Sequence, residues 1–289
     1  MTERPSYILF ITDQQRYDHL GCNGHPVLKT PNIDAIADEG VTYDRFYVAS
    51  PVCMPNRASL MTCRMPSSHG VRSLGIPLSH ANVTFVELMR AAGYDTALIG
   101  KSHLQNVTDW PHKLDPQEPR DGFAAPPDDL AVAIRSDLDN GTYQYEREAF
   151  FEDETAEVPL PFYGFDEYVA VTRHGFNTGG DHARHVRTTA PDAFAQRGRT
   201  NQFAHDYTCP QAIRTKVPEE QYSTSYIADR TCEILESRRG NPTPFLLMVS
   251  FPDPHHPFTP PGKYWDMYKP EDMEIPSAYT ADDRDAPDD

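Results

Sequence analysis

Cys53, Pro55 and Arg57 stand at alternate positions in the stretch from Pro51 to Arg64, PVCMPNRASLMTCR. Pro55 fixes the local backbone and donates no hydrogen bond. From Asn56 to Met61 the residues read as the first turns of a helix, so Cys53 falls at or just before a helix N-terminus. Unpaired amides at that position attract negative charge. Arg57, one turn on, adds a fixed positive charge. The chemistry such a set could do is attack by a reactive side chain on an anion. A lone cysteine is also often a small buried hydrophobe, and this segment alone leaves both readings open.

Three further groups could join it, each at the end of an apolar run. Tyr7 to Thr12 reads as a strand buried on both faces and ends in Asp13-Gln14. Thr96 to Gly100 is a short buried strand that runs into Lys101-Ser102-His103. Pro244 to Phe251 is a strand followed by Asp253-Pro254-His255-His256-Pro257. If the segment after Gly100 is extended, the i, i+2 spacing puts Lys101 and His103 on one side. Each group has a plainer reading: Asp13 as a loop cap, Lys101 as a solvated lysine, His103 as a backbone-bonded loop residue, His255 and His256 as part of a rigid proline turn.

The elements between these strands are helical. Thr30-Pro31 reads as a helix start with an apolar face of Ile33, Ile36 and Ala37 and a stop at Gly40. Val41 to Val48 reads as a second strand. Thr84 caps a helix with Phe85, Leu88 and Met89 on one face and Gly93 as its stop, and another helix runs from about Gln221 to Arg239. From about 110 to 220 the pattern breaks into a long irregular elaboration with one strand-like piece, Phe165 to Val171. Arg173, His174, His182 and Arg184 are unranked candidates there for substrate contacts. Strands alternating with helices predict an α/β fold, a mostly parallel sheet sandwiched between helices. Ligands in such folds bind beyond the carboxyl ends of the strands.

The 289 residues carry a formal net charge of −17, which argues against a general nucleic-acid or anionic-membrane binder while leaving room for a local site that opposes the global charge. The five cysteines, Cys22, Cys53, Cys63, Cys209 and Cys232, are odd in number and lack zinc spacing. They read as reduced thiols. No signal-peptide core or membrane-spanning run is apparent, so the expected location is cytoplasmic.

Taken together, these residues resemble the sulfatase branch of the alkaline-phosphatase superfamily. The likeness is dense over the first hundred residues. It is carried by Asp13-Gln14, Thr30-Pro31-Asn32-Ile33-Asp34, the Cys53-Pro55-Arg57 frame with Thr62-x-Arg64, His69-Gly70, Ala92-Gly93-Tyr94 and Gly100-Lys101-x-His103-Leu104. It resumes at Pro254-His255-x-Pro257-Phe258. The resemblance implies that Cys53 is converted to formylglycine by a formylglycine-generating enzyme. One hydroxyl of the hydrated aldehyde then attacks the sulfur of a small anionic sulfate ester, and the other expels sulfate by C–O cleavage. It implies one divalent metal held by Asp13, Gln14 and the modified Cys53, with Ca²⁺ favoured and Mg²⁺ or Mn²⁺ as alternatives. Arg57 would orient the diol, Lys101 contact the oxyanion, His103 assist the diol, and His255 act near the leaving-group oxygen.

Some positions depart from the family pattern. Gln14 stands where many sulfatases have aspartate, as in branches resembling phosphonate monoester hydrolases. Met54 replaces a small polar residue, and Cys63 stands where glycine is usual, which predicts a local change at that helix end. Gly180-Asp181-His182 looks superficially like the family's second metal pair and is rejected, because no buried strand precedes it and it lies before the histidine motif. The second metal pair and a second lysine are absent, which predicts that residues 1–289 are the N-terminal portion of a single sulfatase catalytic domain. The alternatives are a phosphonate or phosphate ester hydrolase of the same fold, or an inactive anion-binding protein.

Overall fold

Two of the apolar runs sit side by side at the centre of a four-stranded parallel sheet. This is seen in a computed structural model of the protein that describes residues 4–107, 143–275 and 279. The strands are β1 (Tyr7–Ile11), β2 (Asp95–Gly100), β3 (Glu167–Ala170) and β4 (Phe245–Ser250), in the order β1-β4-β2-β3. The helices are α1 (Pro31–Glu39), α2 (Cys53–Thr62), α3 (Pro66–His69), α4 (Phe85–Ala91), α5 (Glu148–Glu152), α6 (Gly180–Thr189), α7 (Pro191–Ala195) and α8 (Ser223–Ser237).

Successive strand residues face opposite ways, and in β2 and β4 both ways are apolar. Leu98, Leu246 and Met248 pack with Met54, Ala58 and Met61 of α2 and Val86 of α4. Ala97, Ile99, Leu247 and Val249 pack with Ile227 and Ile234 of α8. The central strands can therefore be continuous apolar runs. The α4 start is fixed by reciprocal bonds: Glu87 N donates to Thr84 Oγ1 (3.1 Å) and Thr84 N donates to Glu87 Oε2 (2.7 Å).

Strand register decides where the loops begin. Ile11 lies opposite Ser250, Ser250 opposite Gly100, and Gly100 opposite Ala170, so all four strands end level. Gly100 makes this possible. Its φ is 107°, and a Cβ there would lie 1.9 Å from the Ser250 carbonyl oxygen, the oxygen that accepts from Lys101 N at 2.9 Å.

Several expectations are corrected. Residues 41–48 form no strand. No neighbouring strand edge pairs with them among the described residues, and Phe46 is 81% exposed. Strand β1 is not buried on both faces: it is an edge strand, and Ile8 and Phe10 are exposed because nothing described covers that side. Ile33 and Ile36 of α1 are likewise exposed. In α4 the buried residue is Val86, while Leu88 points outward at 64% exposure. The stretch 143–220, read as irregular apart from a strand-like piece at Phe165 to Val171, holds that strand as β3 and in addition α5, α6 and α7; residues 108–142 lie outside the described residues. Cys63 ends α2 in the left-handed conformation, φ 54° and ψ 32°, keeping the geometry a glycine would give at a cost of roughly 1–2 kcal/mol. All five cysteines are free, and among the described residues no helix is long and apolar enough to cross a membrane.

Candidate functional site

Because the strands end level, residues a few places beyond them share one edge of the sheet. Asp13 follows β1, Lys101 follows β2, His174 follows β3 and His255 follows β4. Three of these connections turn sharply. Gln14, His103 and Arg173 have φ of 61°, 54° and 59°, each three residues past its strand. Non-glycine residues hold such a conformation only where their surroundings fix it, and each is fixed here. Gln14 Oε1 accepts from His256 N (3.3 Å) and lies 2.9 Å from His256 Nδ1. The buried Glu146 carboxylate accepts from the consecutive amides of His103 (2.7 Å), Leu104 (2.8 Å) and Gln105 (2.6 Å). Arg173 pairs with Glu148 at 2.7 Å.

Asp13 is the electrostatic centre. Its Oδ2 accepts from Lys101 Nζ and lies 3.3 Å from His174 Nε2 and 3.8 Å from Arg57 Nη2. Burial alone would raise its pKa. The hydrogen bond with His174 and the Lys101 and Arg57 cations outweigh that and hold the carboxyl well below the usual carboxylate range. Burial pushes His174 down to about 4, so at neutral pH its imidazole is uncharged, with Nε2 lying between Asp13 Oδ2 and Lys101 Nζ. Arg57 Nη1 donates to Lys101 O (2.6 Å) and Ser250 Oγ (2.9 Å), joining α2 to the ends of β2 and β4.

Over this cluster opens a cavity of about 500 Å³ whose walls include Cys53, Asn56, Arg57, Asp13, Gln14 and His255. Cys53 is the first residue of α2, after Val52 in an extended conformation, with Pro55 inside the first turn. An anion in the cavity would meet the start of a ten-residue helix and an arginine.

The structure thus brings Asp13, Gln14, Cys53, Arg57 and His255 to one cavity. Lys101 and His103 lie beneath it, both buried. Lys101 is committed to Asp13 and His174 rather than open to an oxyanion. The segment after Gly100 is not extended at His103, because Glu146 gathers three successive amides and turns the chain. His103 Nδ1 is buried without a hydrogen-bond partner among the described residues. His174 is the residue whose role the sequence left unranked; it lies four places beyond β3, the same signal that marked the other strand ends. The other unranked candidates are structural. His182 lies 3.0 Å from Gln221 O, Arg184 donates to the carbonyls of Phe151 and Ala156, and Arg173 holds Glu148. Asp181 accepts from Ala170 N at 2.7 Å through Oδ2 and pairs with Arg184 at 3.5 Å through Oδ1, and both His182 ring nitrogens have partners, so the tract ties α6 to its surroundings. A strand, β3, does precede that tract, so its rejection as a metal pair stands on these partners instead.

Two donor sets could hold a metal. Asp13, His174 and His255 bring ligand atoms within 4.8 Å of one another. The two imidazoles are stacked, however, with centroids 3.6 Å apart and planes 7° apart. In-plane lone pairs of parallel rings run side by side and do not converge on one ion. Asp13 and Gln14 offer an ionised carboxylate and a carboxamide oxygen on adjacent residues lining the cavity; the Gln14 oxygen is held by His256 and would exchange those contacts for an ion. Their hardness fits Ca²⁺, Mg²⁺ or Mn²⁺, and they supply two donors of a shell of about six to eight.

A family model described as Sulfatase matches residues 5–152. The ulvan-active sulfatase of Formosa agariphila is 27% identical over 271 residues, covering 93% of this chain and 39% of the relative. An arylsulfatase of Clostridium perfringens is 27% identical over 275 residues, covering 94% of this chain and 48% of the relative. The solved phosphonate monoester hydrolase of Agrobacterium radiobacter superposes with a TM-score of 0.65 at 24% identity, over 94% of this chain and 45% of that one. This last is a likeness of fold, the alkaline-phosphatase-like α/β arrangement. The chain spans less than half the length of these relatives. With the family model matching more than half of its residues, the chain belongs to the sulfatase family.

Proposed function

We propose that the protein hydrolyses sulfate esters, with Cys53 matured to formylglycine by a formylglycine-generating enzyme and a divalent ion, Ca²⁺ by preference, held by Asp13 and Gln14. The observation that carries this reading is the cavity itself. It combines a cysteine at a helix start, an arginine, a charged aspartate with its neighbouring glutamine, and a histidine in a chain of this family. When bound, the ion would polarise the sulfate and the nucleophile.

The chain's own residues do the rest. Arg57, buried against Lys101 O and Ser250 Oγ, holds a fixed cation below Cys53 and orients the hydroxyls of the hydrated side chain. His103 offers its unpartnered Nδ1 to one of those hydroxyls. Lys101 keeps Asp13 ionised and in place, and His174 in turn keeps Lys101. His255 uses Nδ1 on the His256 carbonyl, which leaves Nε2 for the leaving-group oxygen. Because Nδ1–H donates to that carbonyl, Nε2 is bare in the neutral ring; it donates to the leaving oxygen, as the S–O bond breaks, only after taking up a proton to form the imidazolium. The substrate is a small anionic ester, and the five free thiols suit a reducing compartment, the cytoplasm.

Gln14 favours a second reading, a phosphonate or phosphate diester hydrolase, because glutamine at this position resembles the phosphonate monoester hydrolase branches rather than the sulfatases with aspartate there. Paired rates on 4-nitrophenyl sulfate and a phenylphosphonate monoester separate the two. Full-length protein co-expressed with the maturing enzyme should turn over the sulfate, and Cys53→Ala should abolish it. Equal activity in the variant would refute the reading.

A further inference from the structure

A second cavity, of about 480 Å³, shares His255 with the first, and none of the hydrolytic steps uses it. Phe258, Tyr264, Tyr222, Pro254, Pro260 and Pro261 form its apolar walls. Its polar groups are already closed on one another. Asp253 accepts from Tyr222 Oη (3.1 Å) and Thr224 Oγ1 (2.8 Å), and Glu219 accepts from Tyr264 Oη (2.8 Å) while pairing with Lys263 (3.3 Å). The Phe258 backbone is clamped on both sides: Phe258 N donates to Gln211 O (2.8 Å) and Ile213 N donates to Phe258 O (2.9 Å). Among the described residues no lysine or arginine lines the cavity, whereas two carboxylates do.

We propose that this cavity seats the organic half of the ester, and that this half is an uncharged aryl or alicyclic alcohol rather than a sulfated or uronate saccharide. The inference rests on the sulfate-ester reading for its direction. An ester with its sulfur over Cys53 and its bridging oxygen beside His255 Nε2 must lead its carbon skeleton past His255, and His255 is the wall of the second cavity. Flat apolar walls with edge and face contacts suit one or two fused rings. A polyanionic saccharide would meet the Asp253 carboxylate, which is held by two hydroxyls, while the nearby Lys263 is already paired with Glu219.

Full-length protein titrated with 2-naphthol, followed by the alcohol's fluorescence, should show saturable binding. Phe258→Ala and Tyr264→Ala should each weaken it by about five- to tenfold, while Tyr264→Phe, which keeps the ring, should bind as wild type does. The two alanine variants should also lower the preference for 2-naphthyl sulfate over a short alkyl sulfate by a similar factor. Absence of naphthol binding, or binding indifferent to both alanine substitutions, overturns the proposal; the first result includes the case in which other polypeptide fills the cavity. Naphthol binding without sulfate turnover refutes the hydrolase reading and leaves the cavity assignment standing. Turnover with an unchanged preference does the reverse.

Discussion

Replacing Glu146 tests whether the buried carboxylate builds the His103 loop. Glu146 accepts from three consecutive amides at 2.6 to 2.8 Å, with Oε1 serving His103 and Oε2 serving Leu104 and Gln105. Hydrogen bonds to a charged acceptor contribute about 1.5–3 kcal/mol each. In Glu146→Gln the better orientation keeps the carbonyl on Leu104 and Gln105 and turns the amino group on the His103 amide. The His103 bond is lost, leaving that buried N–H facing a donor, and the Tyr168 hydroxyl, which donates to Oε1 at 3.4 Å, must turn to accept. Burial raises the Glu146 pKa against the pull of the three amides, so removing the charge returns part of its desolvation cost. The net loss for glutamine is about 1–3 kcal/mol, and for Glu146→Ala, which strands all three amides, about 3–6 kcal/mol. Urea unfolding reads the global loss. Amide exchange at residues 103–105 reads the local one, and turnover should fall with it because His103 loses its φ of 54°. A glutamine variant within about 0.5 kcal/mol of wild type, with unchanged exchange at those amides, would refute this role for Glu146.

Gly100→Ala should cost more than about 3 kcal/mol in urea unfolding, since its Cβ would lie 1.9 Å from Ser250 O and the residue sits at φ 107°. Cys63→Gly should stabilise by about 1 kcal/mol by relieving a left-handed cysteine, read as a raised urea midpoint. Stability should fall on acidification between pH 6.5 and 4. Buried His182 titrates near 4 in the folded protein, so below its ordinary value the unfolded chain takes up a proton that the folded one refuses. The contribution is full above pH 7 and reaches a loss of ~3 kcal/mol near pH 4; His182→Gln should flatten that part of the profile.

The parts of this fold that were legible in the sequence are those where local pattern and tertiary role coincide. The apolar runs of β2 and β4 are uninterrupted because both faces are covered, and the Thr84–Glu87 capping box is a local bond pair. The segment 41–48 misled because strand-forming side chains make a strand only against a hydrogen-bonding edge. Strand β1 misled because an apolar run shows what a strand can bury, not what lies over it. His174 was hidden by the character of β3, a short edge strand of Glu-Tyr-Val-Ala. Its tie to Asp13 and Lys101 joins residues far apart in sequence, which no local spacing encodes. The site residues beyond β1, β2 and β4 were visible because each follows closely on an apolar run.

The chemical state of residue 53 decides whether this cavity works as a formylglycine site. Full-length protein co-expressed with a formylglycine-generating enzyme should react with a hydrazide probe, and mass spectrometry should place the adduct at position 53, with none in Cys53→Ala. A free thiol at position 53 in protein that still hydrolyses sulfate esters would contradict the proposed mechanism.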